Sequence, residues 1–268
     1  MMKRHYWAQY RTTEFAPKPG GTIDPDKTIA VLPTAAIEQH GPHLPVGVDT
    51  MIQDGMLATL CSMMPDDLDI RILPTQAIGK SNEHLHAPGT LTLTAQQVLS
   101  AWVEIGRSVA RAGVRKLVIV NSHGGNLDLI NVIARELRVE LNMLCARTQW
   151  ATFGTPDDMP GGPLTADEQR YGIHGGDVET SLMLHFHPDL VDWARAKDFK
   201  SSAAHTPVKP TGLPSYGWIA SDLNKDGTVG DASKATAARG EAIARHQAMG
   251  FINTLRQVRD FDLGHFAA

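Results

Sequence analysis

The sequence predicts an α/β fold with a mostly parallel sheet covered by helices on both faces. Three observations predict it. Short apolar runs alternate with helix-length amphipathic segments from about residue 27 to 148. Polar clusters recur where the apolar runs end. The chain has 268 residues, 42% of them hydrophobic, which is enough for a substantial core.

"KTIAVLP" (27–33) reads as a buried strand, preceded by a Pro/Gly-containing extension over 1–26 that should pack on the domain. Residues 48–64 place Met51, Met56, Leu57, Leu60 and Met63 near helical spacing. "DIRILPT" (69–75) is a second strand. Thr94 and Gln97 form a capping-box pattern, opening a helix that Gly113 should close. "KLVIVNS" (116–122) is a third strand. Asn126 reads as the cap of a helix over 127–140, with Leu129, Ile130, Ile133 and Leu137 on one face. "NMLCART" (142–148) is a fourth strand. Gly, Pro and Asp dominate 151–175, "DVETSLMLHFHP" resumes as a helix ended by Pro188, 198–231 reads as a long loop, and 232–258 as a closing helix. No repeat or linker divides the chain, so residues 1–268 are expected to form a single domain.

Composition narrows the function. The net charge is −4 with both signs dispersed and no basic stripe, so no nucleic acid partner is expected. The longest apolar runs, such as "LVIV" at 117–120, are too short to span a bilayer. The opening "MMKRHYWAQYRTTEFAPKPGG" lacks the apolar stretch of a secretory signal. Cys61 and Cys145 form no CxxC pair, which suits reduced thiols in a cytoplasmic protein.

Four polar clusters fall at expected strand ends or a helix start: Glu38 and His40 with Asp49, "SNEHLHAPGT" (81–90), "NSHGGN" (121–126) and "HGGDVETS" (174–181). In open parallel sheets, ligands bind beyond the carboxyl ends of the strands. Mixed imidazoles and carboxylates suit zinc, manganese or ferrous iron better than calcium or magnesium. Glu38 and His40, two apart, point to one side of an extended backbone, and the two oxygens of Asp49 allow it to bridge two ions. His123 precedes two glycines, where a ligand can approach the backbone. Each piece also has a structural reading. Glu38 and His40 read equally as a hydrogen-bonded loop pair, His123 as a turn residue, and Asp177 as a complement to a helix dipole. His185 and His187 read as surface residues. "DLNKDGTVGDAS" (222–233) begins like a calcium loop, but its twelfth position is Ser233 where a bidentate Glu is needed, so it reads as a turn.

The stretches "LPTAAIEQHGPHLPVGVDT", "EHLHAPGTLTL", "NSHGGN", "HGGDVETSLMLHFHPDLVD" and "GTVGDASKATAARGE", in this order, resemble the creatininase (creatinine amidohydrolase) family over about residues 28–250. The resemblance implies a three-layer α/β/α sandwich, often hexameric, acting as a metal-dependent amidohydrolase on a small, creatinine-like amide. It implies two divalent ions per chain (Zn, Mn or Fe) held by Glu38, His40, Asp49, His123 and Glu179, with Asp49 bridging. His174 matches the proton shuttle, with Glu179 beside it in the catalytic set. Trp150 lines up with a tryptophan that covers creatinine. Ser122, Gly124, Gly125, Ser81, His84 and Tyr171 complete the expected substrate surroundings.

Two departures matter. Gly125 stands where creatininases place a metal-binding glutamate, and Arg170 and Tyr171 lie where a second covering tryptophan is expected. Metal hydrolysis is compatible with both changes; creatinine itself is less so. A deformylase, a peptide-trimming hydrolase and a non-catalytic metal-binding subunit are the alternatives.

Overall fold

Four parallel strands form the centre of the computed structural model, which describes residues 4–15 and 21–266. They are β1 (Ile29–Thr34), β2 (Ile70–Ile72), β3 (Lys116–Asn121) and β4 (Leu144–Gln149), in the spatial order β2-β1-β3-β4. Ile29 pairs with Ile70 on one side and Lys116 on the other, and Lys116 pairs with Leu144. The connecting helices α1 (Val48–Ser62), α2 (Ala95–Arg111) and α3 (Leu127–Leu141) are the crossovers that a parallel sheet needs.

Every residue of β1 and β3 is buried, which explains why these strands read as continuous rather than alternating apolar runs. Ile29 and Val31 pack with Met56 and Leu60 of α1, and with α5 (Asp177–Phe186) and α7 (Ala237–Asp260) through Leu182, Met183, Ile243 and Phe251. Ala30 and Leu32 face the opposite way, onto Val98 and Trp102 of α2 and Ile130 and Ile133 of α3. Strand pleating thus divides the core into two apolar clusters, and the result is a three-layer α/β/α sandwich.

The N-terminal extension continues the sheet edge: the Ile72 N–H donates to the His5 carbonyl at 2.7 Å, and the Arg71 guanidinium lies 4.1 Å from the centre of the Tyr10 ring. The parts of that extension at 1–3 and 16–20 lie outside the described residues. No helix among the described residues is long and apolar enough to cross a membrane.

Four parts of the chain differ from the sequence reading. The capping box at Thr94 forms, with Gln97 N–H donating to Thr94 Oγ1 at 3.3 Å, but Asn126 does not cap α3 through its side chain. A short 3-10 turn over Gly124–Asn126 has already put its backbone at φ −86°, ψ −15°. Its side chain is freed to accept from Lys80 N–H at 3.0 Å and donate to the Ala35 carbonyl at 3.1 Å, tying three loops together. Within 151–175 a helix α4 (Ala166–Tyr171) forms, and within 198–231 the short β5 (Asp198–Phe199) and β6 (Gly230–Asp231) pair antiparallel around α6 (Ala220–Leu223). The last helix starts at Ala237, because Ala232–Lys234 is a 3-10 turn and Thr236 is the cap.

Asp177 does more than complement a dipole. It binds Arg239 through both oxygens, at 3.0 and 2.6 Å, while Arg239 Nη1 donates to the Pro160 and Gly162 carbonyls at 2.8 and 2.9 Å. Both side chains are buried. Asp177→Ala leaves a buried guanidinium charge uncompensated and is expected to cost about 3–5 kcal/mol. Urea unfolding of the variant measures this; a loss below about 1 kcal/mol would show that the 160–162 loop relaxes to let water reach Arg239.

Candidate metal centre

The chain leaves β1 for the β2 side of the sheet and later returns on the other side in β3. The carboxyl ends of β1 and β3 therefore flank a switch point, where a parallel sheet opens a crevice. The loop after β1 folds back on itself, with Glu38 N–H donating to the Val46 carbonyl at 2.8 Å. It carries Glu38 and His40 inward, and Asp49 enters from the first turn of α1; all three are at most 2% exposed. His123 follows β3, and Glu179 sits in the first turn of α5.

These five side chains meet. His123 Nδ1 lies 3.3 Å from Glu38 Oε1 and 3.6 Å from Asp49 Oδ2. His40 Nε2 lies 3.7 Å from Asp49 Oδ1 and 3.8 Å from Glu179 Oε2. Donors at metal-bond length around one tetrahedral ion sit about 3.4 Å apart, so both sets have the right scale. Asp49 offers one oxygen to each set.

The imidazoles are oriented by backbone carbonyls. His40 Nδ1–H donates to the Glu38 carbonyl at 3.0 Å, leaving Nε2 as the free lone pair. His123 Nε2–H donates to the Lys80 carbonyl at 2.9 Å, which turns Nδ1 toward Glu38 and Asp49. Such outer hydrogen bonds fix the tautomer of a metal-ligating histidine. Glu38 Oε2, His40 Nε2 and Asp49 Oδ2 are buried without a hydrogen-bond partner, an arrangement that is costly in a protein interior unless a cation satisfies it. The donor set fits divalent ions of the zinc, manganese or iron type.

Charge follows from the crowding. Burial pushes the Asp49 carboxyl well up, and the neighbouring Glu38 charge adds to this. Burial likewise raises Glu179. Burial opposes the charge on Glu38 too, yet His123 holds it below the usual carboxylate range, and the same attraction lifts His123 to about 10 against the effect of burial. Asp49 and Glu179 are thus held against their charged forms, a cost that bound cations would relieve.

His174 stacks between His40 and His84, with ring centres 4.1 and 4.4 Å away. Its Nε2–H donates to the Gln39 carbonyl at 2.7 Å, and Nδ1 faces Glu38 Oε1 at 3.6 Å. Burial, with His40 adding to it, pushes its pKa down to about 4, so the ring is neutral near pH 7 with Nδ1 available as a proton acceptor. The 222–233 segment that resembles a calcium loop is a turn bracing this residue: Thr228 Oγ1 donates to the His174 carbonyl at 2.6 Å, and Val229 N–H donates to it at 2.8 Å.

The remaining candidates are distributed unevenly. Ser81 and His84 are buried beside the cluster, Ser81 Oγ at 3.3 Å from His123 Nε2 and His84 Nε2 at 3.4 Å from Glu38 Oε1. Ser122 Oγ is committed to the Asp49 carbonyl at 2.9 Å. Gly124 borders open space, whereas Gly125 is tightly enclosed: a Cβ there would lie 2.4 Å from Glu83 Oε1 and from the Lys80 carbonyl. Tyr171 packs on a small apolar cluster with Leu223 and Val229. Trp150 sits in the apolar layer of the core. It is 3% exposed, edge-on to Phe251, with Nε1–H donating to Gln53 Oε1 at 3.2 Å. An apolar layer under α1 and α7 draws the indole inward, and Gln53 satisfies its one polar atom.

Two residues join the site without being singled out by sequence. Glu83 Oε1 lies 3.6 Å from His123 Nε2, within a further donor group of Glu38, Glu83 and His123. Gln39 contacts His84 and the 222–233 turn. The available signal for Glu83 was its place in the same cluster as Ser81 and His84. His43, a potential ligand by type, instead donates to the Gly175 carbonyl at 3.1 Å and approaches Thr180 Oγ1 at 3.0 Å, steadying the turn before α5.

Burial pushes the pKa of His43 down to about 4. Between its ordinary value of about 6.5 and that value, the unfolded chain binds more protons than the folded one. This contribution to stability is intact above pH 6.5 and lost as pH falls through the window, by about 3 kcal/mol in total. Urea midpoints of the metal-free protein should fall accordingly, and His43→Gln should flatten that part of the slope.

The chain is similar to known proteins over most of its length. The creatininase family, described as creatinine amidohydrolase, matches residues 20–255. A mycofactocin precursor peptide peptidase of Mycobacterium tuberculosis is 34% identical over 221 residues, covering 80% of this chain and 78% of its own. A creatinine amidohydrolase of Pseudomonas putida is 28% identical over 249 residues, covering 85% and 89%. A solved structure named "Creatininase Mn" superposes with a TM-score of 0.68 at 28% identity, covering 87% of this chain and 91% of that one. With the match running from the N-terminal extension into the last helix, the chain belongs to the creatininase family of hydrolases.

Proposed function

We propose that this protein is an amidohydrolase that holds two divalent ions, of zinc, manganese or iron, and cleaves the C–N bond of a linear, peptide-like amide. The observation that carries the reading is the pair of donor sets sharing Asp49, in which Glu38 Oε2, Asp49 Oδ2 and His40 Nε2 are buried with no protein hydrogen-bond partner. Glu38, Asp49 and His123 would hold one ion, and His40, Asp49 and Glu179 the other. Ions so placed would supply an activated water and polarise a carbonyl. His174 Nδ1, uncharged and facing the cluster, takes a proton from the tetrahedral intermediate and delivers it to the leaving nitrogen. Glu179 accepts the Gly175 N–H at 2.6 Å and so keeps the 174–176 turn beside the ions.

Packing of Trp150 against Phe251, with its Nε1–H spent on Gln53, supports the linear substrate over a creatinine-like ring. The name of the mycobacterial relative points the same way. The test is a screen of metal-reconstituted protein against creatinine, cyclic ureides, formamides and short peptides, reading amine or ammonia release. Amine release from peptides or formamides is the expected result. Two bound ions with no hydrolysis across the panel would instead support a non-catalytic metal-binding subunit. Trp150→Phe is expected to change KM for the best substrate by less than about threefold, because the residue packs in the core and its replacement conserves most of the buried volume. A large rise in KM confined to cyclic substrates would restore the cyclic reading.

A further inference from the structure

The hydrolytic reading leaves Gln39, between two of the ligands, without a role. It is 9% exposed, and its side chain lies among His84, His174 and the Gly227 turn. Its Oε1 accepts the Gly41 N–H at 2.9 Å, which fixes the orientation of the amide and makes Nε2 the donating end. Nε2 reaches His84 Nδ1 at 2.8 Å and the Gly227 carbonyl. An amide NH₂ can only donate, so His84 Nδ1 is the acceptor and the ring proton sits on Nε2. That nitrogen lies 3.4 Å from Glu38 Oε1.

The clamp depends on glycine. Gly227 has φ +75°, and a Cβ there would lie 2.6 Å from Gln39 Oε1. The main-chain carbonyl of the same Gln39 takes the Nε2–H of His174. One residue thus sets the protonated nitrogen of two stacked imidazoles, one through its side chain and one through its backbone.

From this geometry we infer that Gln39 is a positioning residue: its amide holds His84 in the Nε2–H tautomer, so that His84 donates to the Glu38 carboxylate instead of competing with it for an ion. The inference rests on the hydrolytic reading of the site. With the opposite tautomer, the Nε2 lone pair would face Glu38, repel it and offer an extra nitrogen ligand. The sequence between "EQH" and the glycine-rich turn at 226–230 is then one device, built from segments some 190 positions apart.

Nitrogen-15 spectra of histidine-labelled, zinc-loaded protein test this. In the wild type, His84 Nδ1 should resonate in the pyridine-like region and Nε2 in the pyrrole-like region. Gln39→Glu replaces the donor by an acceptor and should reverse the two. Gln39→Met removes the hydrogen bond at similar volume and should give a mixture of tautomers. In both variants kcat should fall roughly 10- to 100-fold, the usual worth of a group that orients a metal ligand, with KM near that of the wild type. A purely structural role would leave the tautomer of His84 untouched in both variants, and that result overturns the inference. If Gln39→Glu does not fold, the wild type and Gln39→Met decide it. A wild type that binds no zinc sinks the hydrolytic reading and this inference with it. Bound zinc together with His84 protonated on Nδ1 sinks this inference alone.

Discussion

His174→Ala should retain its ions while turnover falls roughly 10²–10⁴-fold, the range that a positioned acid–base group supplies. The ring is excluded from water, stacked between two other imidazoles, and held with Nδ1 toward Glu38 by its bond to the Gln39 carbonyl. Neither donor set that shares Asp49 requires it. An alternative group of Glu38, His40 and His174 would also suit an ion, and the variant separates the two roles. Ion content measured by elemental analysis beside steady-state kinetics is the check. Turnover and ion content falling together would make His174 a ligand; unchanged turnover would remove it from the chemistry.

Asp49→Asn should have the larger effect on the centre. Asp49 is 2% exposed, and its two oxygens face separate histidines, so an amide would lose the charge and one of the two carboxylate oxygens of the proposed centre. Turnover should drop at least ~10³-fold, given that metal stabilisation of developing charge is worth several kcal/mol. Stability should move the other way in metal-free protein. Burial and the Glu38 charge disfavour the Asp49 carboxylate, so neutralising it relieves repulsion and should leave the metal-free chain as stable as wild type, or more so. Added zinc should raise the Tm of wild type, by an amount equivalent to about 4 kcal/mol at a thousandfold excess over Kd, and barely shift the variant. Melting curves with and without zinc measure this, and an equal zinc shift in both proteins would mean that Asp49 holds no ion.

Much of the organisation was legible in the chain. β1 and β3 are buried on both faces and therefore apolar throughout, and the Thr94–Gln97 box marks a helix start by local hydrogen bonding. The extent of α4 and the short β5–β6 pair were not legible, because their backbone partners lie in distant segments, such as Glu168 with the N–H groups of Asp177 and Asp231. Asn126 misled for a similar reason. A preceding 3-10 turn removed the need for a cap, and its amide went to Lys80 and Ala35 instead.

The candidate site divides along the same line. Residue types and their spacing pointed to Glu38, His40, Asp49 and His123, and the family resemblance added His174 and Glu179. Only the tertiary structure decided which atom of each faces inward. Carbonyls of Glu38, Lys80 and Gln39 choose the free nitrogen of three histidines, and those carbonyls, apart from the near neighbour of His40, lie more than forty positions away. The same packing drew Trp150 into the core and brought Glu83 up against Gly125. Burial, proton placement and proximity across a sheet edge arise from contacts between remote segments, which local sequence does not encode.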